Sequence, residues 1–117
     1  MAEVVFTNEF ETWWNDLDQG QQEDVAAHVQ VLRDRGASLA FPRSSAVHGS
    51  RIALRELRVQ SGGRPLRVFY AFDPSRQAVL LIGGDKTGQD RFYEEMIPLA
   101  ERIFQEYLRE TGETRRE

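Results

Sequence analysis

The stretch 54-LRELRVQSGGRPLRVFYAFD-73 decides the fold. Its centre, Ser61-Gly62-Gly63, supplies the flexible residues of a tight hairpin turn, and the flanking runs are strand-like. Ile52 to Gln60 reads as one strand. Leu66 to Phe72 reads as the next, with the β-prone Val68, Phe69 and Tyr70 at its middle. Side chains alternate along a strand, so Arg67, Phe69 and Ala71 share one face while Leu66, Val68, Tyr70 and Phe72 share the other. On the preceding strand Leu57 and Val59 are the core positions, which puts Glu56 and Arg58 on the opposite face.

Working towards the C-terminus, Asp73-Pro74-Ser75-Arg76 reads as a turn. Ala78 to Ile82 is a continuous apolar strand, expected in the middle of the sheet and ended by Gly83-Gly84. From Asp90 a long helix carries Phe92, Met96, Leu99, Ile103, Tyr107 and Leu108 at helical spacing, with Pro98 expected to kink it or mark a break. Towards the N-terminus, residues 37–50, with Pro42, several serines and Gly49, read as a loop. Val25, Val29 and Leu32, with Ala26, form the stripe of a helix that Asp18 caps and that ends near Gly36. An earlier helix, capped by Thr7 or Asn8, presents Phe10, Trp13, Trp14 and Leu17. Val4-Val5-Phe6 is the first strand. The order expected is βααβββα, an α+β fold in which a small, mainly antiparallel sheet packs against two N-terminal helices and a C-terminal helix. One domain over residues 1–110 and a polar tail over residues 111–117 complete the organisation.

The 117 residues carry a net charge of −4, but the charge is segregated. Residues 1–34 balance at −7, residues 35–76 at +6 and residues 77–117 at −3. A basic block between acidic flanks fits a polyanion-binding face and also fits ordinary strand-surface arginines. The chain has no cysteine, which excludes disulfides, thiolate metal sites and cysteine nucleophiles. The acidic N-terminus lacks the features of a secretory signal and no long apolar run follows it, so a cytoplasmic protein without a membrane span is expected. HExxH, Walker A and GxSxG signatures are absent. Neither metal nor cofactor is expected. Gly83 to Gly88 has the wrong glycine spacing for a phosphate loop. Of the two histidines, His28 reads as a helix-surface residue and His48 as a loop contact for phosphate or RNA.

Closing the hairpin brings Arg58 and Arg67 together. The loop after the next strand adds Lys86, and the start of the last helix adds Arg91 and Tyr93. Cations with a carboxylate and a phenol suit phosphodiester cleavage by a ribose 2′-hydroxyl, which needs charge neutralisation at phosphorus and a proton acceptor and donor at the two oxygens. Arginine suits the phosphate because its fork donates paired hydrogen bonds. The same three residues, Glu56, Arg58 and Arg67, also fit a plain salt-bridge network.

The hairpin 54–73, with Leu81-Ile82-Gly83-Gly84-Asp85-Lys86-Thr87-Gly88 and Arg91-Phe92-Tyr93, resembles the HigB-like toxins of the RelE/ParE superfamily, over roughly residues 3–108. The resemblance implies a RelE-like fold and an endoribonuclease that cleaves mRNA in the ribosomal A site, silenced by a cognate helix-turn-helix, HigA-like antitoxin. It implies catalytic roles for Glu56, Arg58, Arg67, Lys86 and Tyr93, with Glu56 standing where some relatives have a lysine. Arg55, Arg64, Arg91 and His48 become the candidate RNA contacts. Two other functions remain open at this point: inhibition of DNA gyrase by binding, as in ParE-like proteins, and an inactive co-repressor bound to an antitoxin.

Overall fold

The computed structural model describes residues 1–112. It is an α+β fold with a five-stranded mixed sheet and three helices. The order is β1 (Val4–Phe6), α1 (Asn8–Asn15), α2 (Gln19–Arg35), β2 (Ser44–Ala46), β3 (Arg55–Ser61), β4 (Arg64–Phe72), β5 (Ala78–Asp85) and α3 (Phe92–Thr111). The strands lie in the order β1-β5-β4-β3-β2, with β1 parallel to β5 and every other pair antiparallel.

The hairpin forms where its glycines require it. Ser61 pairs with Arg64, leaving Gly62 and Gly63 as a two-residue turn with φ of 56° and 81°. Positive φ at both central positions is the geometry whose twist matches that of the flanking strands. The alternation of faces holds along β3 and β4. Leu57, Val59, Leu66, Val68 and Tyr70 join Phe10, Val25 and Leu32 in one core beneath α1 and α2. Phe69, Ala71 and Leu54 join Val79, Leu81, Phe92, Ala100, Ile103 and Phe104 in a second core beneath α3.

The starts of α1 and α2 follow the side chains able to satisfy free N–H groups. Thr7, rather than Asn8, caps α1: its hydroxyl accepts from Phe10 N at 3.1 Å and donates to Leu81 O at 2.8 Å. Asp18 caps α2 in a reciprocal box with Gln21. Leu81 is the residue left unpaired by a register shift between β4 and β5, where Phe69 faces Ile82 and Tyr70 faces Leu80. The Thr7 hydroxyl therefore occupies the carbonyl at the bulge.

Five expectations need correction. The strand expected from Ile52 begins only at Arg55. The segment 37–50 is not all loop, because Ser44–Ala46 adds a short edge strand to β3, making the order βααββββα. Gly83 and Gly84 do not end β5, which runs on to Asp85. Their missing side chains make room for rings instead: a Cβ on Gly83 would lie 2.4 Å from the Trp13 ring, and one on Gly84 would lie 2.9 Å from Phe92. The last helix begins at Phe92 rather than Asp90 and continues through Pro98, whose ring sits on the exposed side. Thr111 belongs to that helix and not to a tail, with Gly112 as a left-handed cap; the remaining tail, residues 113–117, lies outside the described residues. Among the described residues no helix is long and apolar enough to cross a membrane.

Candidate active site

The pairing register of β3 with β4 sets Arg58 directly opposite Arg67 and Glu56 opposite Phe69, all on the α3 face. Two like charges facing each other across strands repel. Glu56, one diagonal away, reaches both: its Oε2 lies 3.6 Å from Arg58 Nη1 and its Oε1 lies 3.8 Å from Arg67 Nε. The pair Glu56 and Arg67 is almost dry, with 5 % and 6 % exposure, whereas the Arg58 side chain keeps 32 %.

Two hydroxyls complete the carboxylate's surroundings. Tyr93, in the first turn of α3, donates to Oε1 at 2.7 Å. Ser45, opposite Glu56 on β2, donates to Oε2 at 3.0 Å. Burial, then the hydrogen bond to Glu56 and its charge, push the Tyr93 phenol above its ordinary value, although Arg67 pulls the other way. Tyr93 is thus a proton donor at neutral pH. The Lys86 ammonium lies over the Tyr93 ring, 5.2 Å from its centroid. Lys86 is placed there by its backbone, whose N–H donates to Pro65 O at 3.0 Å just beyond the end of β5.

Arg67 donates from Nη1 to Leu66 O at 3.1 Å, while its buried Nε has no hydrogen-bond acceptor. Glu56 Oε1 lies 3.8 Å from that nitrogen, an ion-pair rather than a hydrogen-bond distance. The five residues Glu56, Arg58, Arg67, Lys86 and Tyr93 therefore meet in one place, supplying an acceptor, a donor and three cations.

The other sequence candidates are not brought into this cluster. Arg55 projects to the opposite face, where its Nε donates to Ser44 Oγ at 3.0 Å and its Nη2 to Leu39 O at 3.4 Å. Arg64 pairs with Asp85 at 2.9 Å, tying the hairpin tip to the end of β5. Burial would raise the Asp85 pKa, but the Thr87 hydrogen bonds and Arg64 outweigh it and leave it lowered. Arg91 pairs with Glu94 on its own helix at 2.8 Å. His48 is exposed in the segment whose Gly49 and Arg51 border a shallow groove with Tyr93 and Ile97. That segment is fastened to α3 by Glu101, which accepts from Ser50 Oγ and Arg51 N. His28, in α2, contacts Asp24 O through Nδ1 at 3.0 Å.

Sequence reading missed Ser45, because three residues of polar strand carry no period that separates them from a loop. It also missed Phe41, an exposed aromatic ring beneath the Arg58 guanidinium at 5.2 Å. On the opposite face of the sheet a groove has Phe6, Phe10, Trp14 and Val29 among its apolar lining and Glu11 and Arg33 among its polar lining, so Trp14 borders solvent while Trp13 packs on Gly83.

Comparison with known proteins places this sequence in a family. Residues 12–105 match the family described as "Phage derived protein Gp49-like (DUF891)". The chain is 40 % identical over 106 residues to a Mycobacterium tuberculosis protein described as "Putative toxin HigB2". That match covers 88 % of this chain and 53 % of the relative, so the chain spans about half the relative's length. It is 34 % identical over 107 residues to "Putative toxin HigB3" of the same organism, covering 90 % of this chain and 92 % of the relative. With four-fifths of its length inside the match, the chain belongs to the Gp49-like family.

Proposed function

We propose that this chain is the toxin of a type II toxin–antitoxin pair of the HigB kind, within the RelE/ParE superfamily, and that it is an endoribonuclease acting on mRNA in the ribosomal A site. The names of the two relatives support the first part. The observation that carries the second is the buried Glu56 carboxylate, hydrogen-bonded by Tyr93 at 2.7 Å and flanked by Arg58 and Arg67.

In this reading the ribose 2′-hydroxyl attacks phosphorus and gives its proton to Glu56. The bond to the 5′ oxygen breaks, and that oxygen takes a proton from Tyr93. The products are a 2′,3′-cyclic phosphate and a 5′-hydroxyl, and no metal takes part. Arg58, the most exposed of the three strand residues, meets the incoming phosphate first. Arg67 lies behind it, its Nε 3.8 Å from Glu56 Oε1, and Lys86 adds charge from the β5–α3 connection. Neutralising the in-flight phosphate with preorganised donors is the largest contribution such a site can make. The ribosome supplies mRNA alignment, worth a large part of the barrier by orientation alone. A HigA-like helix-turn-helix antitoxin is the partner that silences the activity.

The test is induction of the chain without antitoxin, with 5′ ends mapped across cellular mRNAs and Arg67→Ala as control. Cuts within translated regions that vanish in the variant are the expected result. Growth arrest with DNA damage and no cuts would replace this function with gyrase inhibition, and no arrest would leave an inactive binding partner.

A further inference from the structure

The Phe41 side chain is 70 % exposed, one of three large apolar side chains so exposed among the described residues. It differs from the other two, Met1 and Phe6, in what lies against it. Arg58 places its guanidinium carbon 5.2 Å from the ring centroid, and the same guanidinium lies 3.6 Å from Glu56. The ring is therefore one side chain away from the buried carboxylate.

Its segment is also held in position from both sides. Leu39 is buried, its carbonyl accepts from Arg55 Nη2, and Ser44 N donates to Ala40 O at 3.2 Å. Arg58 N donates to Arg43 O at 2.8 Å, fixing the segment to β3 itself. This gives Arg55, which faces away from the cluster, a role in supporting the loop that carries Phe41. An anchored, solvent-facing ring with a guanidinium over one face suits the chemistry that receives an unpaired nucleobase: bases of single-stranded RNA stack on aromatic rings and on arginine planes.

We propose that Phe41 and Arg58 form a base-stacking step that receives a nucleotide next to the scissile phosphate, the base lying on the open face of the ring while Arg58, on its other face, contacts the phosphate. The proposal rests on the ribonuclease reading above. Stacking holds the strand but takes no part in proton transfer, so its loss acts on KM more than on kcat.

The experiment uses the full chain in a reconstituted translation reaction, with cleavage of a defined mRNA followed for the wild type, Phe41→Ala, Phe41→Leu and Phe41→Trp. Phe41→Ala and Phe41→Leu are expected to raise KM by about tenfold or more, the range of a lost base–aromatic stack, with kcat little changed. Phe41→Trp retains the wild-type KM. On an mRNA with a single abasic nucleotide beside the cut, wild type and Phe41→Leu become equal. Melting curves of all variants should coincide, since the ring is exposed. Unchanged KM in Phe41→Ala and Phe41→Leu, beside an active wild type, overturns the stacking step and leaves the nuclease reading intact. A KM change that persists on the abasic mRNA also overturns it. A wild type that cuts no mRNA removes the nuclease reading and this inference together.

Discussion

Glu56→Gln is the substitution whose effect follows most directly from the geometry. It preserves side-chain shape and leaves an oxygen able to accept from Tyr93 or Ser45, but it removes the counter-charge of Arg67. The Arg58 side chain, at 32 % exposure, can be compensated by water; the Arg67 side chain, at 7 %, cannot. Removing one member of a buried ion pair costs about 3–5 kcal/mol, because the remaining charge stays desolvated. For a domain near this size about 1 kcal/mol moves Tm by roughly 4 °C or more, so Tm should fall by at least about 10 °C. Arg67→Met fills similar volume without charge and leaves Glu56 with Arg58, Tyr93 and Ser45. The double variant Glu56→Gln with Arg67→Met should then be less destabilised than the sum of the singles by about 2 kcal/mol or more. The assay is urea unfolding followed by the fluorescence of Trp13 and Trp14. Arg64→Ala is the contrast: its pair with Asp85 involves side chains 57 % and 33 % exposed, and exposed pairs contribute about 1 kcal/mol or less. If the singles add to the double within about 0.5 kcal/mol, the margin expected of independent sites, the buried pair is not coupled and the reasoning fails.

Other perturbations bear on the frame around the site. Gly83→Ala puts a methyl 2.4 Å from the Trp13 ring, and should cost about 1–3 kcal/mol in urea unfolding with a shifted Trp emission; an unchanged emission maximum would contradict this packing. Thr7→Val removes both the α1 cap and the donor to Leu81 O, for a loss of about 1–2 kcal/mol, read from the unfolding midpoint. Asp73, buried in the β4–β5 turn, is pushed up by burial, but hydrogen bonds from Gln77, Tyr107 and Ser75 outweigh this and lower its pKa from 3.8. Its contribution is therefore complete above that value and is lost as pH falls through the lower folded value. Wild type should lose stability below about pH 4 more steeply than Asp73→Asn, and parallel acid curves would count against it.

The sequence disclosed most where a residue type had a single structural use. Gly62-Gly63 could only turn, and alternation then assigned Leu57, Val59, Leu66, Val68 and Tyr70 to one core and Phe69 and Ala71 to the other. The convergence of Arg58 and Arg67 followed from that register alone. What escaped were residues with two uses. Gly83 and Gly84 read as a strand end because glycine usually breaks a strand, yet here each vacates space for a ring packed across the sheet, which no local pattern reports. Ser44 and Ser45 read as loop because serine favours turns, and only backbone pairing with β3, opposite Leu57 and Glu56, makes them a strand. Arg55 is a candidate RNA contact by family resemblance alone, and its odd spacing from Arg58 on the strand puts the two on opposite faces of the sheet.

That last separation shows how the basic block should be understood. Of the arginines in residues 35–76, Arg55 supports a loop, Arg64 ties off a hairpin and Arg67 is buried against Glu56. A count of positive charge therefore overstates what this face offers a polyanion. The cation combining partial exposure with contact to the buried carboxylate is Arg58, and it is held on one side by Glu56 and on another by Phe41. A net charge of −4 is then compatible with the proposed action on RNA. Affinity drawn from many phosphate contacts would demand a basic protein. Recognition as proposed above, drawn from a few oriented cations, one ring and a large positioning scaffold, does not, and it predicts weak binding to free RNA with a shallow dependence on salt.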